Sequence, residues 1–464
     1  MSLLIQNGTI VTASDQYDAD ILCVEEKIVA IGHDLDADAD VEVIDASGKF
    51  VFPGFIDPHT HIYLPFMGTF AKDTYETATK AALIGGTTCL IDFCIPDPGE
   101  MPSSALAAWN EKSRNNAACD YTYHMAVTDF NEEIAGELRA IVGEEGVASF
   151  KVFLAYKGAL DLGDEKLYHL MKLARELGVI VTAHCENADL VLELQKQLVA
   201  EGKTGPEWHY HSRPPRVEAE GTGHILTFAE ILGTHVYIVH LSCEEALAEA
   251  MRAKARGVNV WVETLIQYLT LDRTYAELPD FEGAKYVMSP PLRDKSNQDV
   301  LWNGLKQRFV STLATDHAPF DFLDQKQRLG EDQFPMIPNG IPSLEDRVNL
   351  LWTHGVAEGR IDMHTFVDCA STQAAKIFGL FPEKGSIQIG SDADLVVYDP
   401  EFSGKISAAT QSINVDYSAF EGWEIKGRPH IVTVRGEVAA CDGEFVGTVG
   451  RGRFLKRTPT HFRP

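Results

Sequence analysis

Asp57-Pro58-His59-Thr60-His61 closes a short apolar run, Phe52 to Ile56, that reads as a buried strand. Residues i and i+2 of a strand point to the same side, so His59 and His61 can hold one metal ion together. Alone, the pair fits two structural histidines equally well. Its weight comes from residues of the same kind further along. Lys151 lies within Ser149 to Leu154, His184 follows Val179 to Ala183, His240 follows Val236 to Val239, and Asp316 follows Thr312 to Thr315. Imidazoles with a carboxylate suit zinc and similar ions. Lys151 is the odd member, because an ammonium would repel two dications. Burial beside positive charge lowers a lysine pKa from its ordinary value of about 10.4 and frees the amine. A free amine condenses with carbon dioxide to a carbamate, whose two oxygens can bridge metals about 3.5–4 Å apart. The alternative, Lys151 pointing from its strand to solvent, stays open on spacing alone. A metal-dependent hydrolase is the first expectation.

Elements must bring these residues to one place. Besides the Phe52 strand and the four segments above, Thr87 to Phe93, Tyr121 to Val127 and Val258 to Thr264 read as strands, alternating with helical patterns such as Glu165 to Leu177 and Cys243 to Arg256. Strand and helix alternating eight times over about 300 residues predicts an α/β fold, a (β/α)8 TIM-like barrel. Its strand C-termini converge on one mouth, so the six residues would face one cavity. Ahead of it, Leu3 to Val11, Ala19 to Ile31 and Val41 to Ile44 read as short strands. Beyond it, so do Gly385-Ser386-Ile387, the segment to Tyr398, Ile431 to Val434 and Glu437 to Cys441. Neither end can bury enough apolar surface alone, which predicts a small β-sandwich domain formed from both. The expected boundaries are 1–50, 51–382 for the barrel, 383–445, and a tail over 446–464.

Seven stretches together carry a family resemblance: Val51 to Pro65, Ser149 to Lys157, Ala183-His184-Cys185-Glu186-Asn187, Val239-His240-Leu241-Ser242, Met288-Ser289-Pro290-Pro291-Leu292-Arg293, Ala314-Thr315-Asp316-His317 and Pro338-Asn339-Gly340-Ile341-Pro342. The chain resembles the cyclic amidohydrolases over nearly its whole length, and within them the D-hydantoinase and dihydropyrimidinase branch. The resemblance implies a distorted barrel and two Zn2+ ions held by His59, His61, His184, His240 and Asp316. A carbamate on Lys151 (N6-carboxylysine) and a hydroxide would bridge them. It also implies hydrolysis of the cyclic amide of hydantoins or 5,6-dihydropyrimidines to N-carbamoyl amino acids. Asp316 would pass the hydroxide's proton to the leaving nitrogen. Tyr156 matches the family's oxyanion donor, which the resemblance favours over a rim aromatic without a catalytic role. Ser289 and Asn339 match positions that hold the ureide edge largely through main-chain groups. Leu64, Phe66, Phe153 and Leu160 could meet the exocyclic substituent, or be plain packing. Dihydroorotase would need an arginine where Tyr63 stands, allantoinase is harder to separate, and a scaffold protein of the same fold would have lost the ligands.

Composition excludes other classes. A net charge of -28 over 464 residues argues against nucleic acid. No apolar run approaches the 18 or so residues of a membrane span, and no basic leader is seen, so a cytoplasmic protein with a small-molecule partner is expected. The cysteines are scattered without a C-x-x-C pair, which predicts neither disulfides nor a thiolate metal site. His209 and His211 read as part of a polar loop without a metal role, and His317 as a partner behind the ligands. Gly85-Gly86 reads as a helix-to-strand turn, and Asp34 to Asp40 as a solvated loop. Arg451, Arg453, Lys456, Arg457 and Arg463, interleaved with Phe454 and Phe462, suggest a tail crossing to another subunit of a homotetramer.

Overall fold

Runs of β-branched and aromatic residues such as Thr87–Cys94 are buried along their whole length, as strands covered on both faces must be. The computed structural model describes residues 2–36 and 41–459. Eight parallel strands pair in chain order: β1 (Phe55–Thr60), β2 (Thr87–Cys94), β3 (Asp120–Ala126), β4 (Ser149–Phe153), β5 (Ile180–His184), β6 (Val236–Ile238), β7 (Val260–Leu265) and β8 (Thr312–Ala314). This is the (β/α)8 barrel. Its helices carry ordinary signals. Thr74 forms a capping box at Tyr75–Ile84. The helix Asp164–Leu177 buries Leu167, Leu170, Met171 and Ala174 on one stripe and stops at Gly178, whose φ is 69°.

Side chains close the seam between β8 and β1. Arg347 Nη1 donates to the carbonyls of both Ile56 and Leu313 at 2.8 Å. The Asp57 carboxylate accepts the Thr315 hydroxyl at 2.6 Å, and His61 N–H donates to the His317 carbonyl at 2.9 Å. The seam thus runs directly beneath the first histidine pair and Asp316.

The small domain has two sheets. Ser2–Gln6, Asp20–Val24, Lys27–Gly32 and Glu42–Asp45 form one. The other takes Thr9–Val11, Gln16–Asp18 and Phe50–Pro53 from the amino-terminal side, with Leu395–Lys405, Glu424–Val434, Glu437–Cys441 and Glu444–Phe445 from the far end. Leu3, Ile5 and Ile21 pack with Leu395 and Val397 in a shared core. Both ends of the chain therefore contribute. The stretch Leu3 to Val11 is two strands in different sheets, divided at Asn7 (φ 63°). Gly385-Ser386-Ile387 is irregular rather than a strand, although Ile387 still fills this core. Within the Asp34 to Asp40 run, residues 37–40 lie outside the described residues.

The strand expected over Phe52 to Ile56 is also two. Phe50–Pro53 pairs with Leu395–Lys405, while β1 begins at Phe55. Gly54 makes the change of sheet possible: a Cβ there would stand 2.1 Å from Thr88 Oγ1. The boundary expected after residue 50 falls instead after Pro53.

The tail differs from expectation as well. Arg453 O accepts from Tyr121 N–H at 3.0 Å, Leu455 N–H donates to Tyr121 O at 2.8 Å, and Phe454 stacks on Tyr123. Arg457 is buried, donating to Thr122 Oγ1 at 3.0 Å, Ser149 Oγ at 2.9 Å and the Tyr123 carbonyl. Its charge and rings find partners on the chain's own barrel, below β3 and β4, and Arg453 pairs with Glu26 of the same chain. Residues 453–457 therefore dock on the chain's own barrel. Phe462 and Arg463 lie outside the described residues. No helix among the described residues is long and apolar enough to cross a membrane.

Candidate active site

His59 ends β1 on its inner face, and His61 follows two positions on. Their Nε2 atoms stand 3.3 Å apart. Asp316 Oδ1 lies 3.0 Å from the first and 3.1 Å from the second. The three form a buried group able to hold a metal ion. The His184 and His240 ring centroids lie 4.5 Å apart, and His240 is 5.3 Å from His59. Lys151 is buried between the Phe93 and Phe153 rings, and among the described residues its Nζ has no hydrogen-bond partner. It does not point to solvent. One cleft is lined by His61, Lys151, His184, His240 and Asp316 together with Tyr156, Ser289 and Asn339. Leu64, Phe66, Phe153 and Leu160 line it too. The six candidate ligands and the candidate substrate contacts are thus brought to one mouth.

The turns leaving the strands are strained. His240 (φ 40°), Asp316 (φ 51°) and Tyr156 (φ 63°) occupy the left-handed region, which costs a residue with a Cβ about 1–3 kcal/mol. The strain turns the three side chains into the cleft.

A set of buried partners, missed in the sequence, orients the ring nitrogens. Glu263 Oε1 accepts from His59 Nδ1 at 2.7 Å and from the His240 N–H at 2.8 Å, while Tyr237 holds Oε2 at 2.8 Å. His59 therefore presents Nε2. Glu186 Oε2 lies 2.7 Å from His184 Nε2 and also pairs with Arg213, leaving His184 its Nδ1. The only signal for Glu263 was a carboxylate inside an apolar strand, which must find a partner when buried. His124 bonds the Pro58 carbonyl at 3.0 Å and Ser149 Oγ at 2.6 Å, bracing β1 against β4. His317 turns away to Asp73, 2.7 Å distant, as expected of a partner behind the ligands.

His209 departs from expectation. It sits on a short helix, Trp208–Ser212, buried, with Nε2 2.8 Å from the Met288 carbonyl and 3.2 Å from Ser289 Oγ. The neighbouring prolines bound that helix instead of marking an open loop. Tyr63 is 40% exposed, rests against Phe70 and lies 5.5 Å under the Lys112 ammonium, so this position itself supplies a phenol and no guanidinium.

Comparison with known proteins agrees with this geometry. The amidohydrolase family profile matches residues 50–439. The chain belongs to the amidohydrolase family. It is 48% identical to a D-hydantoinase of Geobacillus stearothermophilus over 98% of this chain and 97% of the relative. The solved D-hydantoinase (dihydropyrimidinase) from a Thermus species superposes with a TM-score of 0.97 at 58% identity, covering 99% of this chain and 100% of that one. The dihydropyrimidinase from Brevibacillus agri gives a TM-score of 0.98 at 48% identity over the whole of both chains.

The electrostatics of this amidohydrolase suit ligation. Burial holds His184 and His240 well below their ordinary range and His61 down to about 4, so all three are neutral donors. Burial acts the same way on His59, but Glu263 and Asp316 overcome it and raise that ring to about 9. A metal bound there would displace a proton. Burial would raise the Asp316 carboxyl, yet His59 and His61 hold it well below the usual range. Lys151 is pushed down to about 8 by burial, against the pull of Asp316 and Glu263. Burial raises the Tyr156 phenol to about 12, so it remains a donor at neutral pH.

Proposed function

We propose that this amidohydrolase hydrolyses the cyclic amide bond of hydantoins and 5,6-dihydropyrimidines to N-carbamoyl amino acids. The observation that carries the reading is the convergence of four histidines, Lys151 and Asp316 on a cleft that Tyr156, Ser289 and Asn339 also line. The donor set fits a metal pair. Two imidazole nitrogens face one carboxylate oxygen, and the buried Lys151 amine has no hydrogen-bond partner among the described residues. His59, His61, His184, His240 and Asp316 would hold two zinc ions, and Lys151, as a carbon dioxide-derived carbamate, would supply the bridging anion. When bound, such a pair brings the pKa of water towards about 7 and draws charge from a carbonyl.

The chain's own groups then divide the work. Asp316 accepts the proton of the attacking water and returns it to the leaving ring nitrogen. Tyr156 aims its hydroxyl at the carbonyl oxygen, where negative charge builds. Ser289 and Asn339 hold the ureide edge, fixed to each other by a 3.0 Å bond from Asn339 Nδ2 to Ser289 Oγ. Leu64, Phe66, Phe153 and Leu160 offer the exocyclic substituent an apolar wall. Relatives named D-hydantoinase and dihydropyrimidinase at 48% identity support the substrate class. We place the enzyme in the cytoplasm as a homotetramer. Eight free cysteines, seven of them buried, fit a reducing compartment.

Metal analysis of the purified protein, with ring-opening assays on dihydrouracil and 5-phenylhydantoin, tests the reading. Two zinc ions per subunit and turnover of at least one ureide are expected. Metal-loaded protein inert towards both would overturn it.

A further inference from the structure

Lys326 is fully buried on the short helical turn Phe322–Gln327, and among the described residues no carboxylate reaches it. Its Nζ donates to two backbone carbonyls, Val287 O at 3.0 Å and Pro338 O at 2.9 Å. Val287 lies two residues before Ser289, and Pro338 immediately precedes Asn339. Burying an ammonium without a countercharge is costly, and a leucine or methionine would fill the space without that cost. Burial pushes this amine well below its ordinary range, and a neutral amine has two N–H donors for the two carbonyls it meets.

Other contacts converge on the same two segments. Val287 O also accepts the Gly340 N–H at 3.0 Å, and the Met288 carbonyl is taken by His209. Gly340, at φ 152°, packs so closely that a Cβ would stand 2.1 Å from Ala318 O. Lys326 thus ties the segment carrying Ser289, which follows the turn Glu282–Tyr286, to the loop carrying Asn339 at a point outside the cleft lining, in addition to the Asn339–Ser289 bond.

We propose that Lys326 is a positioning residue for substrate recognition, setting the distance between the two backbone segments that grip the ureide edge. The proposal rests on the reading given under Proposed function for Ser289 and Asn339. Those contacts are made to the ring before and during reaction alike, so their loss appears as weaker binding, not as slower chemistry.

The test is steady-state kinetics of the metal-loaded Lys326→Met enzyme on dihydrouracil and 5-phenylhydantoin. A KM raised about tenfold, kcat within about twofold of the parent and an unchanged metal content are expected. Should the methionine variant not fold, Lys326→Gln, which keeps a donor on a shorter arm, reads the same constants, with a smaller rise in KM expected. An unaltered KM, or a fall in kcat with loss of metal, overturns the positioning role, since the latter marks a general support of the barrel. A parent enzyme inert to both ureides overturns the functional reading instead, and this proposal with it.

Discussion

At the scale of single residues, the site centres on a buried amine with no hydrogen-bond partner among the described residues. Lys151→Ala should leave the protein with at most half its metal and without activity, partly restored by a short carboxylic acid that supplies the missing anion. Metal analysis and the ureide assay check this, and a fully active variant with two metals would rule the carbamate out. Tyr156→Phe should keep both metals and lower kcat about 10²–10³-fold, because a donor to the developing oxyanion is lost while no ligand is touched. An unchanged kcat would make Tyr156 a rim residue. The proposed ligands were legible because each lies in or at the end of an apolar run, where barrel geometry gathers side chains. Their supports were not. Glu263 announces that it needs a partner, but nothing local shows that the partner is His59, 204 positions away. His209 was misjudged because prolines flank a helix start as readily as a loop.

Among the elements, the segment after Leu395–Lys405 docks on a pair of buried acids. Glu345 Oε2 accepts the Ser412 N–H at 2.8 Å, and Asp346 accepts from Gln411. Burial raises Glu345 to about 8 and Asp346 to about 7. Their unfolded values are about 4.3 and 3.9. A carboxyl raised on folding favours the folded state when protonated, so this contribution is whole below about pH 4 and lost as pH climbs towards about 8. Glu345→Gln should therefore raise Tm, relative to the parent, more at about pH 8.5 than at about pH 5. Thermal unfolding at both values checks it; a shift independent of pH would exclude the carboxyl as its cause. The strands themselves were readable to within a residue or two, since a doubly covered strand is apolar throughout. The division at Gly54 was not, because the apolar run continues across it while its hydrogen-bonding partner changes from one sheet to another.

For the molecule as a whole, the docked tail decides what truncation does. Removing everything after Val449 uncovers Tyr121, Tyr123 and the polar groups that Arg457 satisfies. Arg457→Met alone should cost about 1.5–3 kcal/mol, the worth of a charge-assisted hydrogen bond. Because the contact lies within one chain, the fall in Tm should be the same at low and high protein concentration. A loss that shrinks as concentration rises would restore the crossing tail. Charge and aromatic rings in a terminal segment signalled docking correctly but carried no information on which chain receives it. The side-chain seam has a consequence in time. Asp57 and Thr315 lie 258 positions apart, and domains form from the amino terminus as the chain is made. While His59 and His61 emerge early, Asp316 joins them only after the last barrel strand is synthesised. Until then an ion would meet only part of the proposed ligand set, so a metal held by these residues would be loaded late, after the barrel has closed.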